Sequence, residues 1–393
     1  MKVVILKKGK EINLDRKHPW IFSGALHKVE KGTQAGDHVQ VVNHKDEVLA
    51  VGHYHPGSIS VRVLAFEDTE IDEAFWLSKL QSAYQYRASL NLVENQHTNA
   101  YRLIHGEGDG IPGLIIDIYN LNAVIQCHSV GCYNDREQIA NALDKIYNGK
   151  LGSIYFKTKD TLPADYTTGV ENMYFKTDKH SIDILEHDVK FSIDWEGGQK
   201  TGFFLDQRRN RHILAKYSTG KSVLNCFCYT GGFSMYALAA GATKVVSMDI
   251  SASATELVQV NHDLNKFPEG VHEIQTVNVM KTLQDPELDS FDIVVVDPPA
   301  FAKSIKKRHN AVQAYKRLNA MALLKVKSGG YLFTFSCSQV VGTELFNNTI
   351  AAAAIETGRN IRIVERLTQG PDHPVNIYHP EGSYLKGLVL YVE

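Results

Sequence analysis

Asp297-Pro298-Pro299-Ala300-Phe301 and the thiol of Cys337, in Ser336-Cys337-Ser338, are the residues of this chain best suited to chemistry on a flat heteroaromatic ring. Each group follows an apolar run that reads as a buried strand, residues 291–296 for the first and 331–335 for the second. Ligands of open α/β sheets bind beyond the carboxyl ends of the strands. An acid, a rigid turn, an aromatic ring and a thiol are therefore expected on one rim of one sheet. Pro298 and Pro299 lack N–H donors and fix the turn. A free thiol needs a cationic or dipolar setting to ionise near neutral pH.

The elements that must hold these groups follow from about residue 190, where strands and helices alternate as in a doubly wound sheet. Strands are expected at 222–228, 244–250, 273–279, 291–296, 331–335 and 361–367. Helices are expected at 231–242, 253–266, around 312–322 and at 343–357. A last strand, 385–392, follows the Gly-Pro-rich loop 370–383 with no helix between, which implies an antiparallel edge.

The first strand runs into Phe227-Cys228-Tyr229-Thr230-Gly231-Gly232. Glycine at a strand-to-helix turn lets the backbone approach a ligand, but the Gly-x-Gly-x-x-Gly of a dinucleotide site is missing. Asp249, ending the second strand, can accept from both hydroxyls of a ribose, and Asn278 can accept from an adenine amino group. Adenosine without phosphate on a seven-stranded sheet points to S-adenosylmethionine. Phe227, Tyr229, Thr230, Gly231, Asp249, Asn278 and Asp297 are the expected cofactor residues. Lys200, Thr201, Phe204 and Asp206, in the loop before the first strand, are candidates for its methionine end.

Residues 1–68 carry short β signals, among them the alternating 59–64, and read as a small barrel. Asp72 to Leu90 has helical spacing. Strands at 114–119, 123–128 and 153–157 and a helix at 133–147 make an α+β middle region with nothing catalytic in it. Domains are expected at 1–70, 71–188 and 189–393.

With 393 residues, 44% hydrophobic and 22% charged, the chain has the composition of a globular protein with a large core. No apolar run approaches a membrane span. The first ten residues hold only four consecutive apolar ones, too few for a signal peptide. Five cysteines without a Cys-x-x-Cys pair argue against a disulfide framework or a zinc ribbon, and a reducing cytoplasm is expected. The 17 histidines show no metal-ligand spacing, so no metal is expected, and His53 with His55 reads as a surface pair. Net charge is −2, not that of a strongly basic nucleic-acid binder. The cluster Lys303, Lys306, Lys307 and Arg308 directly follows the Asp-Pro-Pro turn, however, and suits phosphates.

Arg16-Lys17-His18-Pro19-Trp20-Ile21-Phe22-Ser23-Gly24 resembles the opening of PUA domains, which are RNA-binding modules. Together with residues 102–110, 199–208, 225–233, 297–301, 335–338, 370–374 and 380–387, it gives a resemblance over almost the whole chain. The family resembled is that of bacterial large-subunit (23S) rRNA cytosine-5 methyltransferases.

This resemblance implies an α/β fold with an N-terminal PUA-like β-barrel, a middle α+β domain and a C-terminal Rossmann-like seven-stranded methyltransferase sheet with an antiparallel last strand. It also implies a cytoplasmic enzyme, often a homodimer, that acts on rRNA. Cys337 would add to carbon 6 of the cytosine, making carbon 5 nucleophilic. Asp297 would hydrogen-bond the ring, Phe301 stack on the flipped base, Pro298 leave its carbonyl directed at the base, and Arg16 and Trp20 contact RNA.

Two positions depart from the pattern. Related enzymes often carry Asp where Asn278 stands, and many carry a second cysteine where Ala300 stands. Amino methylation of an rRNA purine at the Asp-Pro-Pro turn, which needs no cysteine, is the alternative enzyme; a non-catalytic ribosome-assembly factor is the alternative outside that class.

Overall fold

The computed structural model describes residues 1–177, 182–302 and 304–393. The chain divides into two compact units. The first comprises Met1–Ile184, Ile193–Leu205 and Pro371–Gly382; the second comprises Leu185–Ser192, Asp206–Gly370 and Ser383–Glu393.

The first unit holds two sheets. Six strands lie in the order Trp20–Phe22, Ile59–Ala65, Val48–Tyr54, His38–Val42, Lys2–Leu6, Leu26–Val29. Their inward residues, among them Val4, Ile21, Val39, Val41 and Val61, form one apolar cluster. Five strands make the other sheet, in the order Met173–Thr177, Ser153–Phe156, Asn122–Cys127, Leu114–Tyr119, Ala100–His105. The helix Glu73–Ser89, capped by the Asp72 carboxylate on the Phe75 N–H, buries Trp76 and Leu80 in that sheet's core.

Within the first unit, buried polar contacts join residues 1–70 to residues 71–184. His38 Nε2 and His53 Nε2 both reach Asp135 Oδ2 at 2.9 Å. Gly131 lets a helix backbone lie against the His53 ring; a Cβ there would meet ring atoms at 2.0–2.4 Å. His53 is therefore buried, 1% exposed, and not part of a surface pair.

The Gly106–Gly110 turn is fixed in the same unit. Arg87 pairs with Asp109 and donates to the Asp372 carbonyl at 2.8 Å, and the Arg102 N–H donates to Asp372 Oδ2 at 3.0 Å. A Cβ on Gly108 would lie 2.1 Å from the Pro374 carbonyl oxygen, so the Gly-Glu-Gly-Asp-Gly and Gly-Pro-Asp-His-Pro segments need each other.

The second unit is built on a seven-stranded sheet, whose strands are numbered here within that sheet. They are β1 Ser222–Cys226, β2 Lys244–Asp249, β3 His272–Thr276, β4 Phe291–Val296, β5 Val326–Ser336, β6 Ile361–Leu367 and β7 Lys386–Val392. Their order is β3-β2-β1-β4-β5-β7-β6, parallel from β3 through β5, with β7 antiparallel to both its neighbours.

Burial on both faces of the sheet explains the continuous apolar run Ile293 to Val296 of β4. β5 starts five residues before the expected 331, because Lys327 to Gly330 carry a polar and glycine-rich sequence into the ladder. A Cβ on Gly330 would lie 2.5 Å from the Asp292 carbonyl oxygen, and the β4–β5 register shifts at that point. No helix of the described residues is long and apolar enough to cross a membrane.

One ion pair anchors the helix Arg208–Ser218 to the same unit. Arg211 Nε and Nη2 donate to the two oxygens of Glu186 at 2.7 and 2.8 Å, with both side chains nearly inaccessible. Glu186 also accepts from the Tyr236 hydroxyl. Removing one partner of a buried pair strands the other charge, so Glu186→Ala should cost about 3–5 kcal/mol. Urea unfolding of the full chain measures it; a loss under about 1 kcal/mol would place the pair among weak surface bridges.

Candidate active site

Beyond β1 the chain makes three left-handed residues in five, Phe227 (φ 59°), Tyr229 (φ 48°) and Gly231 (φ 83°). Two of these carry side chains, a strain that persists only where surroundings over-determine it and that clusters at ligand sites. Gly231 is needed on space as well, since its Cβ would meet Val258 at 3.0 Å.

The turn is tied to Asp249 at the end of β2. The Tyr229 N–H donates to Asp249 Oδ2 and the Ser251 N–H to Oδ1, each at 3.0 Å. A carboxylate has about four lone-pair positions, so both oxygens can still accept from a ribose diol. Thr230 Oγ1 is buried with no hydrogen-bond partner among the described residues. A strained turn, an acid with spare acceptors and an orphaned hydroxyl on one rim fit an adenosine-bearing ligand.

Asn278 differs from its expected part. It is exposed and caps the short helix Val279–Thr282, its Oδ1 accepting from the Lys281 N–H at 3.2 Å. An adenine amino group would have to share that oxygen.

The adjacent rim, beyond β4 and β5, carries the acid and the thiol. Asp297 Oδ2 accepts from Gln207 Nε2 at 2.9 Å, and Gln207 Oε1 accepts from Asn210 Nδ2 at 2.6 Å. Burial and the charge of Asp206 push the Asp297 carboxyl up to about 7. Asp206 Oδ2 accepts from the Tyr384 hydroxyl at 2.6 Å, while its Oδ1 is buried without a partner among the described residues.

Cys337 follows β5 and is partly exposed, whereas Cys127, Cys132, Cys226 and Cys228 are buried. Burial, then the carboxylates of Asp297 and Asp206, push its thiol up to about 11. Ser338 ties this turn to the Asp-Pro-Pro turn, its Oγ donating to the Ala302 carbonyl at 2.8 Å.

Other expected site residues have different surroundings. The Phe301 ring lies edge-on to Tyr315, centroids 4.7 Å apart, and packs against the apolar core. Pro298 is buried, while Lys306, Lys307 and Arg308 are exposed at the start of the next helix. Lys303 lies outside the described residues.

Lys200, Thr201 and Phe204 belong to the first unit, where Thr201 is fully buried. Its hydroxyl donates to Asp117 Oδ2 at 2.6 Å and lies 3.0 Å from the Tyr119 hydroxyl. Arg16 is exposed, but the Trp20 indole N–H donates to Glu107 Oε1 at 2.9 Å and its ring meets His379 at 4.4 Å. Trp20 is thus a joint within the first unit.

Sequence reasoning did not single out Gln207, Tyr384 or Lys386, although each lies in a segment that carried the family resemblance. It also missed two groups whose atoms could hold a metal, His38–His53–Asp135 and His18–His379–Glu381. The partners of Asp135 are 97 and 82 residues away, beyond any motif spacing.

The sheet order and the β1–β2 rim define an S-adenosylmethionine-dependent methyltransferase, and the family model of that description matches residues 170–389. A PUA-like domain model matches residues 4–66. The chain belongs to the family of relatives named ribosomal RNA large subunit methyltransferase I. It is 39% identical to the one from Tolumonas auensis, over 98% of each chain. It is likewise 39% identical to one from Vibrio vulnificus and 38% identical to the Escherichia coli protein, over 99% of each chain in both comparisons.

Among solved structures, a candidate methyltransferase from Streptococcus mutans superposes with a TM-score of 0.84 at 21% identity, covering both chains fully. One complexed with S-adenosylhomocysteine gives 0.85 at 20%, again over the whole of both chains. Likeness at that distance speaks to the fold alone. The chain is a methyltransferase that uses S-adenosylmethionine.

Proposed function

We propose that this enzyme methylates carbon 5 of a cytosine in large-subunit rRNA, with Cys337 as covalent nucleophile. The observation that carries the reading is the pairing, on the β4–β5 rim, of a partly exposed thiol with a carboxyl that is largely neutral below about pH 7. The rRNA substrate is supported by the names of the relatives, and the cofactor brings an electrophilic methyl sulfonium when bound.

Carbon 5 of cytosine is too weak a nucleophile to accept that methyl group unaided. Attack of the Cys337 thiolate on carbon 6 breaks the 5,6 double bond and makes an enamine whose carbon 5 is nucleophilic. Electron density moves onto the ring nitrogen as the sulfur–carbon bond forms. Asp297, in its acid form, can donate a hydrogen bond or its proton there. A carboxyl held neutral by burial is suited to this work. After methylation a base takes the carbon-5 proton, the double bond returns and the thiolate leaves. Asp249, Tyr229, Thr230 and Gly231 would hold the adenosine, and the exposed Lys306, Lys307 and Arg308 would meet phosphates. A base inside a stacked duplex is out of reach, so the target is single-stranded or flipped out.

Incubation of the full chain with rRNA and labelled S-adenosylmethionine, followed by nucleoside mass spectrometry, tests the substrate. The label is expected in 5-methylcytidine. An N-methylated purine would instead support amine methylation at the Asp-Pro-Pro turn. Cofactor binding without transfer to any RNA would support an assembly factor.

A further inference from the structure

The geometry points to Lys386 as a positioning residue that holds the Cys337 turn and supplies the cation against which its thiolate forms. As the residue acts through Cys337, its part in catalysis rests on the cytosine reading; its coupling to the thiol does not.

Lys386 opens β7 and stands opposite Ser336, the last residue of β5, in the antiparallel ladder. Its Nζ donates to the Ser338 carbonyl oxygen at 2.7 Å. The side chain therefore begins beside the residue before Cys337 and ends on the residue after it, spanning the cysteine between. Lysine is seldom this buried without a task or a partner, and Lys386 is only 8% exposed. Among the described residues no carboxylate forms a salt bridge with its Nζ, whose hydrogen bond goes to Ser338. Burial lowers its basicity and the neighbouring Cys337 opposes that loss, as expected if ammonium and thiolate stabilise each other.

The charged and titratable groups around Cys337 come from four places in the second unit. Asp297 follows β4, Asp206 precedes the helix Arg208–Ser218, Tyr315 lies on the helix Arg308–Leu324, and Lys386 opens β7. Burial first, and then the two carboxylates, hold the proton on sulfur; Lys386 favours its loss. When Asp297 carries its own proton, one opposing charge is gone. Asp206 is meanwhile hydrogen-bonded by Tyr384, and Lys386 is the cation left beside the thiol. Ionisation then releases the thiol proton to solvent through the exposed side of Cys337 and leaves a thiolate–ammonium pair, with no other bond made or broken. The same pair would receive the thiolate when the product is released.

The test is the iodoacetamide alkylation rate of Cys337, read by mass spectrometry of its peptide in the full-length protein without RNA. Lys386→Gln keeps a donor for the Ser338 carbonyl and removes the charge. An adjacent charge shifts a pKa by about one unit or more, so the rate near pH ~8.5 should fall about tenfold and the pH profile should move up. Lys386→Arg should restore most of the rate, and Asp297→Asn should raise it. Asp297→Asn also keeps the charge account falsifiable if the lysine variants unfold. A wild-type rate in folded Lys386→Gln, or a rate in Asp297→Asn no higher than wild type, overturns the assignment. If the alkylation results hold but no adduct with cytosine forms, the coupling stands and the cytosine reading fails.

Discussion

Replacing Cys337 with alanine should abolish methylation at carbon 5 of cytosine while leaving S-adenosylmethionine binding intact. The two effects separate because the thiol and the residues proposed to hold adenosine sit on different strands. Cys337 follows β5, while the turn after β1 and Asp249 at the end of β2 are held by each other, without any contribution from the sulfur. On the covalent route proposed above, losing the thiol removes the only step that turns carbon 5 into a nucleophile, so activity should fall below detection. The buried Cys226 and Cys228 cannot substitute, because burial pushes both thiols far above their ordinary range and both lie at β1. Calorimetry with S-adenosylhomocysteine and transfer assays on rRNA measure the two halves. Retained 5-methylcytidine formation would remove covalent catalysis from the account, and weakened cofactor binding would place the thiol in the wrong subsite.

The second large effect is expected at Asp249. Its two oxygens organise the turn through the N–H groups of Tyr229 and Ser251 and keep lone pairs for ribose hydroxyls. A hydrogen bond to a charged group is worth about 1.5–3 kcal/mol. Losing two should weaken S-adenosylhomocysteine binding by about 100-fold or more, at 1.4 kcal/mol per factor of ten. The fold should survive in Asp249→Ala, because the carboxylate is at the sheet rim, partly exposed, and not in the core. A variant that binds the cofactor product as tightly as wild type would move the ribose elsewhere.

Local pattern carried the sheet further than it carried the site. β4 and β6 have the boundaries that their residues predict, as does the helix Thr343–Thr357, since apolar runs and helical spacing are set within one element. The antiparallel pairing of β6 with β7 followed from a Gly-Pro-rich connection that carries no helical pattern. Gly330 shows the limit: its closeness to β4 exists only once two strands pair, and glycine in a strand reads locally as its end.

At the site, Asp297 and Cys337 were placed on neighbouring turns by a topological rule, and their neighbours in space could not be. Gln207 reaches Asp297 from 90 residues away, Tyr384 reaches Asp206 from 178, and Lys386 reaches Ser338, beside Cys337, from 48, through hydrogen bonds and ladder register. Phe301 and Trp20 taught the converse lesson. Aromatic residues in suggestive motifs found ring and carboxylate partners inside the protein, Tyr315 for one and His379 with Glu107 for the other.

The central claim is a bond between one sulfur and carbon 6 of a cytosine. Large-subunit rRNA transcribed with 5-fluorocytidine tests it directly, because fluorine at carbon 5 cannot be removed as a proton and the methylated adduct cannot collapse. With S-adenosylmethionine present, the account predicts a denaturation-resistant protein–RNA complex whose mass-mapped crosslink is on the Cys337 peptide and is lost in Cys337→Ala. No complex, or one attached through another residue, would contradict it.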